Sequence, residues 1–249
     1  MAEAMKCGEQ EFEVHLPQEL IAAELEPNQV DLPQRTPAEH IRWALDHPID
    51  SAPLKELVKA GDKVCIVISD VTRRWQSPET YIPLLIAELE SAGVRDEDML
   101  IISATGTHRR QTPEEHAGLV TQAVYDRIQV VDHVCTDQEN LTYVGTTTRG
   151  TPVWLDKRAL ECDKIILTGG VVYHFMAGFG GGRKSILPGI AGRETIMKKP
   201  QPGPEPRPGQ RLPSGGPQRQ HDRGQPRPRR HDGGLLHGGP HLLAQRGGE

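Results

Sequence analysis

Two histidines and one lysine stand in glycine-rich segments of this 249-residue chain. His108 lies in ATGTHRRQ, and His174 and Lys184 lie in YHFMAGFGGGRKS. An imidazole exchanges protons near neutral pH, and a lysine amine can bond covalently to a carbonyl-type group. A racemase needs acid/base groups on both faces of one carbon, so these residues together indicate that chemistry. A surface histidine and a flexible glycine loop with an incidental lysine are the structural alternatives.

The segment GFGGGRKSILPG does not match a phosphate loop. That loop has glycine directly before its lysine, and Arg183 stands there before Lys184. The glycines also lack the G-x-G-x-x-G spacing of a dinucleotide-binding turn. Glycine costs folding entropy, so this density is expected where backbone turns sharply or lies against a ligand. Residues 169–189 contain seven glycines: Gly169, Gly170, Gly178, Gly180, Gly181, Gly182 and Gly189.

A third polar motif, SDVTRR, follows an apolar run and contains Asp70 and Arg73. A guanidinium can hold a carboxylate or a phosphate through two parallel hydrogen bonds. A loop salt bridge or a helix cap would explain the same two residues without any ligand. The motif alone leaves both interpretations open.

Short apolar runs alternate with helical patterns along the first 199 residues. The runs DKVCIVISD, DMLIISA, RIQVVDH and CDKIILTGG are rich in β-branched residues, which is typical of strands buried on both faces. Strands that alternate with helices predict an α/β domain with a largely parallel sheet and flanking helices. Ligands of such sheets bind beyond the carboxyl ends of the strands. Each polar motif follows one of these runs, so we expect the motifs at one edge of the sheet.

Capping residues mark the starts of the helices. TPAEHIRWAL and TPEEHAGLV place Thr, Pro and Glu at the spacing of a capping box, with Thr36 and Thr112 as the caps. SPETYIPLLIAELESAG predicts a third helix that begins near Pro78. FEVHL alternates as an early strand, and LTYVGTTTRGTPVWL predicts a hairpin that turns at residues 149–150.

Charge and cysteine usage narrow the class of protein. The formal net charge is −5, and the acidic residues are concentrated in the first 199 residues, which argues against a nucleic-acid binder. The four cysteines form no C-x-x-C pair, which predicts reduced thiols. We find no apolar signal region at the N-terminus and no apolar run near the ~20 residues of a membrane span. These features predict a cytoplasmic protein without a membrane partner.

Residues 200–249 differ in composition from the rest of the chain. They contain eight Arg, no Lys and four acidic residues, and they lack Ile, Val, Phe, Tyr and Trp. Such a segment cannot bury a core and is predicted to be disordered. One interpretation is a natural basic tail with affinity for RNA. We favour a second, a GC-rich coding region read out of frame, because the change falls abruptly within the helix-like run AGRETIMKK.

Taken together, the three polar motifs resemble those of the nickel-dependent lactate racemase family. The similar segments are SDVTRR, TGTHRRQTPEE and GGVVYHFMAGFGGGRKSILPGIAGRETI, in the order of the family. The resemblance covers nearly all of residues 10–199 and implies that residues 1–199 are an N-terminal catalytic domain. The implied activity is racemisation or epimerisation of a lactate-like 2-hydroxy acid.

The resemblance also implies a cofactor, a nickel-pincer nucleotide whose pyridinium ring carries two sulfur-bearing arms. One arm forms a thioamide with the lysine of GGGRKS, here Lys184. The cofactor accepts a hydride from C2 of the substrate, and His108 and His174 exchange the hydroxyl proton from opposite sides. Proteins of cofactor synthesis are further expected partners. The family also contacts its cofactor and its substrate through a short segment, which here comprises Asp70, Val71, Thr72 and Arg73. Arg73 is suited to hold a carboxylate or a phosphate.

Two family features have no counterpart in the sequence. The nickel-binding histidine of the family follows TIMK, and the corresponding position is Pro200, which cannot bind a metal. The second α/β domain of the family, which closes the cleft, is not found after Lys199. We therefore expect a chain truncated or frameshifted after residue 199. The alternative function is an inactive fragment or a module that only binds the cofactor.

Overall fold

The computed structural model of the protein describes residues 2–7, 10–23, 33–174 and 178–198. Between Arg35 and Thr36 the chain divides into two compact units. The predictions made for Pro200 and for the tail at residues 200–249 lie outside the described residues.

The described part of the first unit is an antiparallel hairpin. Strand β1 (Ala2–Cys7) pairs with β2 (Gln10–His15), and a 3-10 turn follows at Gln18–Leu20. The alternation in FEVHL predicts β2 correctly. β1 has the sequence AEAMKC, which contains no β-branched or aromatic residue and so gives little strand signal.

The second unit is built on a parallel sheet. Among the described residues its strands are β3 (Val64–Ser69), β4 (Met99–Ala104), β5 (Gln129–Asp132) and β8 (Lys164–Leu167), in the order β5–β4–β3–β8. Residues 64–68 of the central strand β3 are fully buried, as its continuous apolar run predicts. The prediction of an α/β fold with a largely parallel sheet and flanking helices is confirmed.

Helices cover both faces of the sheet. The described helices are α1 (Pro37–Asp46), α2 (Leu54–Leu57), α3 (Pro78–Ser91), α4 (Pro113–Val120), α5 (Gln122–Tyr125), α6 (Lys157–Leu160), α7 (Arg183–Ile186) and α8 (Arg193–Met197). Ile66 and Ile68 of β3 pack in a cluster with apolar residues of α3 and α4. Cys65 and Val67 point to the other face, in a cluster with Ala159 of α6. Among the residues that the structure describes, no helix is long and apolar enough to cross a membrane.

The predicted helix starts and the hairpin are confirmed. Thr36 and Thr112 each complete a capping box with the Glu three residues later, and proline opens both helices. α3 begins at Pro78. β6 (Leu141–Thr146) pairs antiparallel with β7 (Pro152–Asp156), and Gly150 supplies the positive φ of +73° in the turn between them.

A buried polar cluster connects the sheet to the segment that precedes α8. His133 is 2% exposed, and its Nδ1 lies 2.9 Å from the carboxylate of Asp156 while its Nε2 lies 3.0 Å from the Ala191 carbonyl oxygen. Both partners are acceptors, so both bonds form when each ring nitrogen carries a proton. Arg158 donates to the same carboxylate at 2.7 Å and to the Asp132 carbonyl at 2.9 Å. The cluster therefore ties the ends of β5 and β7 to the segment after α7.

Candidate functional site

Loops that follow three adjacent strands bring the predicted residues to one edge of the sheet. Asp70 follows β3 directly, and His108 lies four residues after β4. The glycine-rich segment after β8 contains the short strands β9 (Tyr173–His174) and β10 (Gly178–Phe179) and continues into α7 with Lys184. This segment returns to the β4 loop, where the Gly106 N–H donates to the Gly189 carbonyl at 2.9 Å. The predicted common edge is confirmed.

Asp70 and His108 form a carboxylate–imidazole pair at this edge. One carboxylate oxygen, Oδ2 of Asp70, contacts Nδ1 of His108. Asp70 is 3% exposed, whereas the His108 side chain is 45% exposed. An ionised carboxylate only accepts hydrogen bonds, so a neutral His108 carries its proton on Nδ1 and keeps Nε2 as a base. The sequence predicted both residues as site residues but did not predict that they pair.

The second carboxylate oxygen of Asp70 organises the following turn. It accepts hydrogen bonds from the backbone N–H of Thr72 at 3.0 Å and from the Thr72 hydroxyl. That hydroxyl in turn accepts a hydrogen bond from the Arg73 guanidinium at 2.8 Å. Asp70 thus caps the 3-10 turn Val71–Gln76, so the helix-cap interpretation of the motif is also correct.

Lys184 and His174 share an electrostatic environment with Arg73. Burial lowers the pKa of Lys184, the cation of Arg73 lowers it further, and the carboxylate of Asp70 acts in the opposite direction. Burial also lowers the pKa of His174, and the positive charges of Lys184 and Arg73 contribute to the same shift. The edge therefore raises the fraction of neutral amine at Lys184 and of neutral imidazole at His174 at a given pH, and these are the reactive forms for covalent attachment and for proton abstraction.

Glycine backbone makes the support on which α7 rests. Gly181 has φ of +71° and Gly182 has φ of +45°, and α7 begins immediately after them. A Cβ atom on Gly181 would lie 3.1 Å from the Gly170 carbonyl oxygen, and one on Gly170 would lie 3.0 Å from the ring of Trp75. These contacts are tighter than most Cβ atoms make, and the positive φ angles of Gly181 and Gly182 confirm the predicted sharp backbone turns. Contact of the glycines with a ligand stays a prediction.

The structure adds polar residues that the sequence did not single out. The Gln111 side chain hydrogen-bonds the backbone of Val71 and the side chains of Ser103 and Asp132. His116 of α4 contacts the same Asp132 carboxylate at 2.9 Å. Gln111 stands directly before a capping box in the sequence, but no spacing relates it to Val71, forty residues earlier.

A metal centre is not formed by the residues that the structure describes. Within the described ranges no three His, Cys, Asp or Glu side chains come together as metal ligands. Pro200, the position at which the resemblance predicts a metal-binding histidine, lies outside those ranges.

Comparison with known proteins identifies the family of the chain. The family model of the lactate racemase N-terminal domain matches residues 7–201. The chain belongs to this family. A curated lactate racemase of Lactiplantibacillus plantarum is 38% identical over 159 residues, which are 64% of this chain and 37% of that protein. A lactate racemase of Thermoanaerobacterium thermosaccharolyticum is 35% identical over 157 residues, which are 63% of this chain and 36% of that protein.

Two solved structures have folds similar to that of this chain. The lactate racemase apoprotein of T. thermosaccharolyticum matches with a TM-score of 0.67 and 32% identity, over 79% of this chain and 45% of that chain. A Thermotoga maritima protein matches with a TM-score of 0.51 and 27% identity, over 64% of this chain and 39% of that one. The chain therefore spans less than half the length of the lactate racemases that it matches.

Proposed function

We propose that this chain supplies the acid/base and cofactor-binding residues of a 2-hydroxy-acid racemase that acts on a lactate-like substrate. The observation that carries the proposal is the pairing of Asp70 with His108 at the same edge as Lys184, an amine whose pKa is lowered. The family relationship to proteins named lactate racemase supports the same reaction class.

The side chains at the edge fit a phosphate-bearing cofactor that reacts with an amine. Lys184 offers the amine, and the guanidinium of Arg73 offers a partner for phosphate. Oε1 of Gln76 is buried next to Gly169, and it has no hydrogen-bond partner among the described residues, so a ligand donor would satisfy it. We infer that the nickel-pincer nucleotide binds here with its thioamide on Lys184. When bound, it supplies the acceptor for the hydride at C2 of the substrate.

The protein's own part in the reaction is proton transfer and orientation. Nε2 of His108 accepts the hydroxyl proton, and the carboxylate of Asp70 stabilises the imidazolium that results. His174, whose pKa is lowered, takes the corresponding role for the other enantiomer. The guanidinium of Arg73 holds the substrate carboxylate or the cofactor phosphate. Two bases are required because the two enantiomers present the hydroxyl group in different orientations.

A module that binds the cofactor without turnover is the second candidate. It rests on Pro200, which stands where the family has its metal-binding histidine. Binding and turnover are therefore measured separately in the test of the function.

The function is tested by loading the full chain with the cofactor. Intact mass is expected to reveal an adduct that Lys184→Ala abolishes and that Lys157→Ala, at an exposed lysine, retains. Chiral chromatography then measures the interconversion of D- and L-lactate, and His108→Gln is expected to lower kcat about 10²- to 10⁴-fold. An adduct without turnover supports the binding module, and the absence of any adduct on Lys184 contradicts both candidates.

A further inference from the structure

Gln111, in the loop after β4, connects the loop after β3 to residues of the strands β4 and β5. Its Oε1 accepts a hydrogen bond from the backbone N–H of Val71 at 2.6 Å, in the loop after β3. Its Nε2 donates to Ser103 Oγ of β4 at 2.7 Å and to Asp132 Oδ1 of β5 at 2.8 Å. Its backbone N–H donates to the other oxygen of Asp132 at 2.7 Å. Both protons of the side-chain amide are therefore used, within a partly buried network.

The orientation of the Gln111 amide is fixed by its partners. The backbone N–H of Val71 can only donate, and an ionised Asp132 can only accept. A flipped amide would place its oxygen against the carboxylate and its NH₂ against another donor. Although burial raises the pKa of Asp132, hydrogen bonds from His116 and Gln111 lower it further than burial raises it, so the carboxylate stays ionised at neutral pH.

The same two loops also meet at the Asp70–His108 pair. Val71 follows Asp70 in the chain, and Gln111 lies three residues after His108. The His108 side chain is 45% exposed, so water competes for its hydrogen bond. The network around Gln111 is more buried, with Ser103 fully enclosed and Asp132 only 7% exposed at its side chain. The buried contact is the one that can fix the distance between the two loops.

We propose that Gln111 is a positioning residue that holds the carboxylate of Asp70 against Nδ1 of His108. It acts through the Val71 N–H on one side and through the β4 and β5 strand ends on the other. The effect of Gln111 on catalysis rests on the proposed function, whereas its effect on which nitrogen of His108 carries the proton does not.

The test measures which ring nitrogen of His108 carries the proton. Long-range ¹H–¹⁵N correlation spectra of the full chain are recorded about two pH units above the ordinary imidazole pKa of about 6.5. The wild-type protein is expected to carry the proton on Nδ1, facing Asp70. Gln111→Met is expected to shift it toward Nε2, the tautomer that an isolated imidazole favours, as does the positive control Asp70→Ala.

Two further variants make the result decisive. Ser103→Ala removes one acceptor of the Gln111 amide but leaves the Val71 contact, so the proton is expected to stay on Nδ1. Gln111→Glu places a second carboxylate against Asp132, and the repulsion is expected to displace the Glu side chain. The proton of His108 is then expected to shift toward Nε2, as in Gln111→Met. If Gln111→Met does not melt cooperatively, Gln111→Glu decides. A wild-type tautomer in a folded Gln111→Met or Gln111→Glu protein overturns the proposal.

Kinetics separate this proposal from the proposed function. In a racemising wild-type preparation, Gln111→Met is expected to lower kcat about tenfold or more with little change in KM, because it misplaces a base without removing a substrate contact. If the wild-type protein shows no turnover, the racemase function fails, and the tautomer result still tests the role of Gln111.

Discussion

At the scale of single residues, Arg73 influences the ionisation of both reactive groups around it. Burial is the larger cause of the lowered pKa of Lys184 and of His174, and the guanidinium adds to both shifts. Asp70 moderates the effect on Lys184 but is itself engaged by His108 and Thr72. The arrangement raises the fraction of neutral amine without removing the cation that an anionic ligand needs.

Lys184 is therefore expected to acylate faster than an exposed lysine at the same pH. Competitive labelling with acetic anhydride, followed by peptide mass spectrometry, compares it with exposed Lys157 between about pH 7 and 10, below and near the ordinary lysine pKa. A lowered pKa moves the rise in labelling of Lys184 to lower pH. Arg73→Gln removes a neighbouring positive charge, so the rise is expected to move back to higher pH. Identical labelling curves for Lys184 in both proteins would contradict the role of Arg73.

At the scale of elements, Gly181 packs closely against the backbone of Gly170 two residues before α7 begins. Gly181→Ala adds left-handed strain and a Cβ only 3.1 Å from the Gly170 carbonyl oxygen. Gly150→Ala is a matched control, because its φ of +73° is nearly the same and no described atom lies within 4 Å of the added Cβ. We expect Gly150→Ala to cost about 1–2 kcal/mol in urea unfolding, Gly181→Ala to cost more, and only Gly181→Ala to impair adduct formation on Lys184.

Two capping boxes of the same chemistry allow a second element-scale test. Thr36→Ala and Thr112→Ala each remove the side chain that caps a helix, and each is expected to lower the free energy of unfolding by about 1 kcal/mol. Only α4, which Thr112 caps, carries His116 and so supports Asp132. On the proposed function, racemisation is therefore expected to fall in Thr112→Ala and to stay near wild type in Thr36→Ala. Equal losses of activity would argue against a link between α4 and the site.

At the scale of the whole molecule, buried carboxylates make the stability of the fold depend on pH. Burial raises the pKa of Asp156, but hydrogen bonds from His133 and Arg158 outweigh it, so the net pKa is lowered. The pKa of Asp132 is also lowered, because hydrogen bonds from His116 and Gln111 outweigh the effect of burial. A carboxyl whose folded-state pKa lies below its unfolded value of about 3.9 stabilises the fold fully above that value. Its contribution is lost as the pH falls through the folded-state pKa.

Asp156→Asn is expected to cost about 3–5 kcal/mol at neutral pH, because it leaves Arg158 and His133 without their buried anion. The difference from wild type is expected to shrink as the pH falls below about 4. Urea unfolding monitored by circular dichroism from neutral to acidic pH measures this slope. Asp126→Asn, at a surface position, is the control, and a difference that does not change with pH would contradict the assignment.

The sequence predicts the elements well and their contacts poorly. Continuous β-branched runs predict β3 and β4, and the Thr-Pro-Glu spacing predicts α1 and α4, because each signal is complete within about ten residues. β1 is missed because its residues carry no such pattern. Gln111 is missed because its partners lie in other loops and only the sheet order brings them together.

The sequence by itself determined the α/β class, the glycine segment that precedes Lys184 and the placement of polar motifs after strands. These follow from local periodicity and from the rule that parallel strands end at one edge. Only the tertiary structure decided that Asp70 faces His108, that Gln111 bridges their loops, and that burial and Arg73 lower the pKa of Lys184. Each of these depends on distances between residues far apart in the chain, and hydrogen bonds and electrostatic shifts are sensitive to such distances on the scale of an ångström.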